Sequence, residues 1–301
     1  MTTLDQSISF SDAGLPYGPR RINFEAINPP PPPPPCLSVD TDIPHQQISP
    51  GALAAFLRDI SILPSIQACR QYRGKRCSRW LCSTCGPRRQ RADARHARQV
   101  ISGAGTVILW SATIERRADR PLAEAWENLD AVWRAFNRRE WLSRRVSGSA
   151  RHTAISVRAN GSWHPHFHTL LVVSRKMPRD QAVRLAADIA ARWVDSATRL
   201  GTVASVAGQR IGLPAVALPT DSPRHAHRRA HREAVNRVQY ASHQAWGHPG
   251  SIAGTPEAVL RAAAAGDADA LDLWHEIEEA THNHRLRAVG GIFRTPAQPL
   301  R

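Results

Sequence analysis

Tyrosine is almost missing from this 301-residue chain: Tyr17, Tyr72 and Tyr240 are the whole supply. Any chemistry that needs a phenol therefore has three places to find one. Cysteine is scarce as well, five in all, and four of them crowd into the span from Cys69 to Cys85. That sets aside a scaffold stapled by dispersed disulfides. No stretch approaches the roughly 20 consecutive apolar residues of a membrane-crossing helix, so no such span is expected. The opening MTTLDQSISF lacks the basic start and apolar run of a secretory signal, and the chain is expected to stay in a reducing cytoplasm. Acidic residues are outnumbered, 25 against 40 Lys and Arg, for a formal charge of +15. A polyanion is the natural partner of such a surface, nucleic acid foremost.

What remains is the composition of a globular protein, 42% hydrophobic and 22% charged, long enough for one substantial core with a small module and a tail. Pro29 to Pro35 are seven consecutive prolines, a stiff polyproline II rod, and the polar sequence around them offers little to pack. Residues 1–50 are read as a disordered arm, 51–100 as a Cys-rich zinc module with a basic helix, and 101–296 as the main domain. In that domain Thr106 to Ile114 (TVILWSATI) is too short for a typical helix and rich in β-formers, hence a buried strand. Leu122, Trp126, Leu129, Val132, Trp133 and Phe136 recur at helical spacing. His152 to Val157 and Trp163 to Val173 read as antiparallel strands joined by a tight turn at Asn160 and Gly161, residues that tolerate positive φ. A helix from Arg179 should end at Gly201 with a left-handed cap. A weaker strand signal covers Val203 to Leu218, a helix from Ser222 to Trp246 carries Tyr240, and two Ala-rich acidic helices precede a last strand near Leu286 to Phe293. Strands joined by a hairpin and interleaved with helices give an α+β class, with a mainly antiparallel sheet covered by helices. There is no internal repeat.

The sharpest feature is Trp163-His164-Pro165-His166-Phe167-His168-Thr169-Leu170-Leu171. Side chains alternate across a strand, so His164, His166 and His168 share one face at about 7 Å intervals, while Phe167, Thr169 and Leu171 take the other. Neutral imidazoles so placed can close on one divalent cation. Pro165 lacks an N–H and belongs at the start of a strand, which puts His164 at its mouth. Of the tyrosines only Tyr240 lies where main-domain chemistry could use it. A phenol can attack phosphorus and keep the broken bond's energy as a phosphotyrosine, given a metal that polarises the phosphate.

Cys69, Cys77, Cys82 and Cys85 are separated by seven, four and two residues, and the closing Cys-Ser-Thr-Cys-Gly has the tight loop of a zinc knuckle. In a reducing cell, four thiolates imply a structural Zn²⁺ that folds a segment too short for its own core. The Arg-rich stretch that follows, with Arg88, Arg89 and Arg91, offers either a track for a DNA backbone or a solvated helix face.

Together HPHFH on a strand, an upstream strand ending Ser-Ala-Thr-Ile and a downstream helical tyrosine resemble the HUH endonucleases, in particular the rolling-circle replication initiators of small bacterial plasmids. The closing LWHEIEEATHNHRLRAVGGIFR is similar to that family's last segment, and a Cys-rich stretch precedes its nicking domain too. The resemblance covers about Ser65 to Arg294. It implies Mg²⁺ or Mn²⁺ on His166 and His168, with His164 as a third ligand. It also implies Tyr240 as the nucleophile that cuts one strand at a single-stranded or melted plasmid origin, leaving a 3′-hydroxyl to prime synthesis, and a host helicase as a further partner. His243 stands where the family usually has Lys, and Asn236 where many members have a Glu that activates a terminating water. Glu233, two helical turns before Tyr240, could take that Glu's part. Two other classes use the same features: a histidine-triad nucleotide hydrolase with His166 as nucleophile, and a non-enzymatic zinc-dependent DNA-binding regulator.

Overall fold

An unbroken run of apolar β-formers has no polar side to turn to water, so Thr106–Ala112 (β1) must be covered on both faces. The computed structural model, which describes residues 48–69, 76–102, 105–115, 120–157, 162–212 and 255–294, bears this out. β1 lies inside a five-stranded sheet with Gly148–Ala154 (β2), His166–Val173 (β3), Arg210–Gly212 (β4) and Arg287–Gly291 (β5). The order is β4-β1-β3-β2-β5 and every neighbouring pair is antiparallel. The fold is α+β, and the histidine strand β3 is its centre.

One sheet face carries Ile108, Trp110, Phe167 and Leu171 against the helices Leu122–Phe136 (α4) and Arg179–Thr198 (α5). Trp110 is fully buried there, its ring 5.0 Å from that of Phe136 and 5.3 Å from that of Trp193. Arg151 rises from β2 on this face, its guanidinium 4.1 Å over the Phe167 ring and paired with Asp130 at 3.2 Å. The other face carries Val107, Ala150, Leu170 and Val172 against Cys85–Ser102 (α3), whose Ala94, Ala97 and Ile101 form the buried stripe. The basic helix expected from the Arg-rich stretch is thus present, and it roofs the histidine side of the sheet.

A third cluster joins Pro50–Ile60 (α1), the short turn of helix Pro64–Gln67 (α2), the cysteines, Trp126, Trp163, Leu286 and the two Ala-rich helices Pro256–Ala264 (α6) and Ala268–Asn283 (α7). Buried Glu278 of α7 ties it together, accepting from the Ser61 hydroxyl at 2.6 Å and the Ile62 N–H at 2.9 Å. The cysteine segment and the far C-terminal helices therefore share one core.

Several boundaries differ from the sequence expectation. β2 starts at Gly148 and ends at Ala154, and β3 starts at His166, because Pro165 has no N–H for the ladder. Beyond that point the pair is held by an isolated bridge, Val157 to Trp163. Register differs too: His152 faces His168, one residue out of step with a two-residue turn at 160 and 161, which would have set Thr153 against His168. β2 can start so early because Gly291 of β5, at φ 58°, lets Ser147 approach; a Cβ there would lie 2.1 Å from the Ser147 carbonyl oxygen. Gly201 adopts the expected left-handed cap, φ 68°. The strand signal from Val203 reduces to β4, three residues long, within the described part. The proline arm and the segment expected to be the tyrosine helix lie outside the described residues.

Candidate functional site

A row of polar side chains crosses the roofed face from edge to edge. Register sets Arg210 of β4 beside Ser111 of β1, Ser111 beside His168, His168 beside His152 of β2, and His152 beside Arg287 of β5. Direct cross-strand neighbours share a face, so the row is a consequence of pairing alone. α3 completes it, with Asp93 paired to Arg287 at 2.7 Å. Burial raises the Asp93 carboxyl above its ordinary range although Arg287 and Arg89 pull the other way.

His166 and His168 meet at the centre of this row, Nε2 to Nε2 at 3.1 Å, with their rings nearly perpendicular at 83°. The outer nitrogens decide what that contact can do. Nδ1 of His166 lies 3.1 Å from the His164 carbonyl, and a carbonyl oxygen only accepts. His166 must therefore carry its proton on Nδ1 and present the Nε2 lone pair. Nδ1 of His168 lies 2.8 Å from the Ser111 hydroxyl, which can give or take a proton. When Ser111 donates, His168 carries its proton on Nε2 and gives it to His166. When Ser111 accepts, both Nε2 atoms face each other with lone pairs, an arrangement that only a cation between them stabilises.

The spacing fits such a cation. Nitrogens 3.1 Å apart and about 2.1 Å from one ion subtend roughly 95° there, the angle of adjacent octahedral positions. Burial, followed by the charges of His166, His152 and His164, holds His168 well below the usual histidine range, so it is neutral at pH 7, as a ligand must be. His164 takes a different place: its ring stacks on that of His166, centroids 4.7 Å apart and 20° from parallel. Among the described residues no third His, Asp or Glu joins the pair closely enough to complete a set of three. Tyr240, His243 and Glu233 lie outside the described residues.

Sequence reasoning missed His152, Ser111 and Trp80. His152 is 2% exposed, its Nδ1 has no hydrogen-bond partner, and burial drives its pKa down to about 3, with Arg287 adding to the effect. The Trp80 ring meets it edge-on, centroids 6.2 Å apart, and Arg89 of α3 covers Trp80 at 5.3 Å. Arg89 also donates to the Ser78 carbonyl, so it is committed to this wall, while Arg88 and Arg91 are exposed on α3. The cysteine segment thus supplies part of the wall behind the histidines. Its sequence could have shown that a Trp lies between Cys77 and Cys82, but not where it packs.

The four cysteines do converge: their sulfurs all lie within 4.8 Å of one another. Cys69 Sγ is 3.6 Å from Cys85 Sγ and 3.7 Å from Cys82 Sγ, far beyond bonding and close to the edge of a tetrahedron of bonds of about 2.3 Å, roughly 3.8 Å. Backbone N–H groups of Arg79 and Cys85 donate to the sulfurs of Cys77 and Cys82, each at 3.4 Å. The Cys77 thiol and these donors lower Cys82 to about 5, while burial raises Cys85. The set can hold a metal ion such as zinc.

Compared with known proteins, the chain matches no family model, no curated protein and no solved structure. Its reading therefore rests on the site itself.

Proposed function

We propose that this protein is an HUH-type tyrosine nickase that opens one DNA strand at an origin and so initiates rolling-circle replication of a plasmid. The observation that carries the reading is the Nε2 pair of His166 and His168, 3.1 Å apart on the central strand and oriented from behind by Ser111 and the His164 carbonyl. A rigid sheet that aims two neutral imidazoles at one point is suited to a divalent cation, Mg²⁺ or Mn²⁺. When bound, that ion would polarise the phosphate under attack.

The chain's own residues supply the rest. Tyr240 gives its oxygen to phosphorus as the bond to the 3′ oxygen breaks, which leaves a 5′-phosphotyrosine and a free 3′-hydroxyl. The phenolic proton passes to water, and the departing oxygen takes one up. His243 can donate to the bound phosphate, and Glu233 is the base available for a later water. Ser111 holds the His168 tautomer, and Trp80 and α3 keep solvent from the back of the site. The net charge of +15 draws the strand in.

The four sulfurs support a second, lesser reading, a zinc-dependent DNA-binding regulator without catalysis. Nicking of supercoiled replicon DNA separates the two. The nickase relaxes it with Mn²⁺, and not with EDTA or after Tyr240→Phe. A regulator binds the same DNA in every case and cuts it in none, and that outcome would remove the proposal. A nucleotide hydrolase with His166 as nucleophile would ignore Tyr240→Phe altogether.

A further inference from the structure

The layer made by α4 and α5 carries a second concentration of charge, on the sheet face away from the histidines. After α4 the chain enters the 3-10 turn Arg138–Glu140, where Arg139 and Glu140 both hold positive φ, 58° and 55°. Left-handed backbone at two successive residues with side chains is unfavourable, and such conformations persist where the surroundings enforce them. Around this turn Arg138, Arg139, Arg144, Arg145, Arg192 and Arg199 line one shallow depression of about 430 Å³.

Trp141 organises it. The guanidinium of Arg145 lies 4.1 Å over its ring and that of Arg192 5.0 Å. Arg145 also donates to the Trp141 carbonyl at 3.2 Å, and Arg192 to the Phe136 carbonyl at 2.7 Å, closing the end of α4. Burial and the positive charge of Arg199 pull Arg192 below its ordinary range, so the crowding has a cost. Among the described residues a single carboxylate pairs with the group, Asp195 with Arg199. Six guanidinia held in fixed orientations with so little compensation imply an anionic partner with several groups to offer.

We propose that this surface is a second DNA site, one that grips the phosphodiester backbone of duplex flanking the strand that is cut. It rests on the reading that the partner is DNA, and it does not need the nicking chemistry. Planar guanidinium forks match phosphate oxygens, and an open depression admits a backbone. Single strands are held instead by successive exposed rings on which bases stack. Here the one ring, Trp141, is already covered by arginines.

The test is fluorescence anisotropy with the full chain in EDTA, using a labelled duplex and one of its strands over a series of salt concentrations. Arg139→Ala with Arg144→Ala is compared with Arg184→Ala with Arg261→Ala, which removes equal charge from exposed positions elsewhere; melting curves confirm that both fold. The patch pair should lower duplex affinity about tenfold or more near 0.15 M salt and flatten the plot of log K against log salt by about 2, some 0.9 for each phosphate released. The control pair should change neither. Equal losses for both pairs would reduce the patch to general charge, and an equal loss on the single strand would make it a strand groove; either overturns the proposal. So does loss of binding to phosphatidylglycerol vesicles with duplex binding intact. Failure of the wild type to bind DNA ends this inference and the nickase reading together. Patch-dependent duplex binding without any nicking sustains this one alone.

Discussion

Ser111→Ala is the sharpest probe of the histidine pair, because it changes no ligand and removes only the group behind one. The lost contact is 2.8 Å long and lies between a hydroxyl 9% exposed and an imidazole 2% exposed, so water does not readily replace it. A buried polar group left without its partner costs about 1 to 3 kcal/mol. Without Ser111 the His168 tautomer with its proton on Nε2, which blocks the cation, no longer has a competitor fixed by a hydrogen bond. Loss of an outer partner of a ligating histidine weakens metal binding about 10- to 100-fold, or roughly 1.4 to 2.8 kcal/mol, the same range reached from the hydrogen bond alone. Titration calorimetry with Mn²⁺, on protein whose cysteine site is loaded with Zn²⁺, measures it directly. Binding within a factor of two of wild type, in a variant with an unchanged melting curve, would refute the reasoning.

Three further outcomes follow from the geometry. Cys69→Ser or Cys82→Ser should abolish the zinc content measured by elemental analysis, expected at one ion per chain, and lower the melting temperature sharply, since α1, α2, α6 and α7 pack on those sulfurs. His152 titrates near 3 in the fold and about 6.5 unfolded, so the unfolded chain takes its proton first as pH falls. Its contribution is complete above 6.5 and erodes by about 1.4 kcal/mol per pH unit from there toward 3; in denaturant melts, His152→Leu should lessen that slope, and an equal slope would contradict the buried, neutral ring. Trp110→Ala should cost about 3 to 5 kcal/mol in the same melts, because a fully buried ring among Phe136, Trp133 and Trp193 leaves a large cavity.

What the sequence made legible was what is local. β1, α4, α5 and the helices α6 and α7 follow from runs and periods within themselves, and the cysteine spacing already implied four converging sulfurs. The histidine face followed from alternation, though alternation took three rings as equivalent and the break at Pro165 lets His164 stack on His166 instead. What stayed hidden depends on pairing between distant segments. His152 belongs to the site only because β2 meets β3 in the register observed; a slip of one residue would turn it to the other face. Ser111 was visible as a strand residue, and nothing in its own neighbourhood pointed to the Nδ1 of His168. α3 reads as a basic helix from its arginines, while its small buried stripe, Ala94 and Ala97, gave no sign that it roofs the sheet.

The most direct test is to map the covalent product. Labelled origin strand, incubated with the protein and Mn²⁺ and then digested with trypsin, should yield one DNA-linked peptide carrying a 5′-phosphate on Tyr240. Label on His166, or strand cleavage with no protein-linked product, would contradict the account.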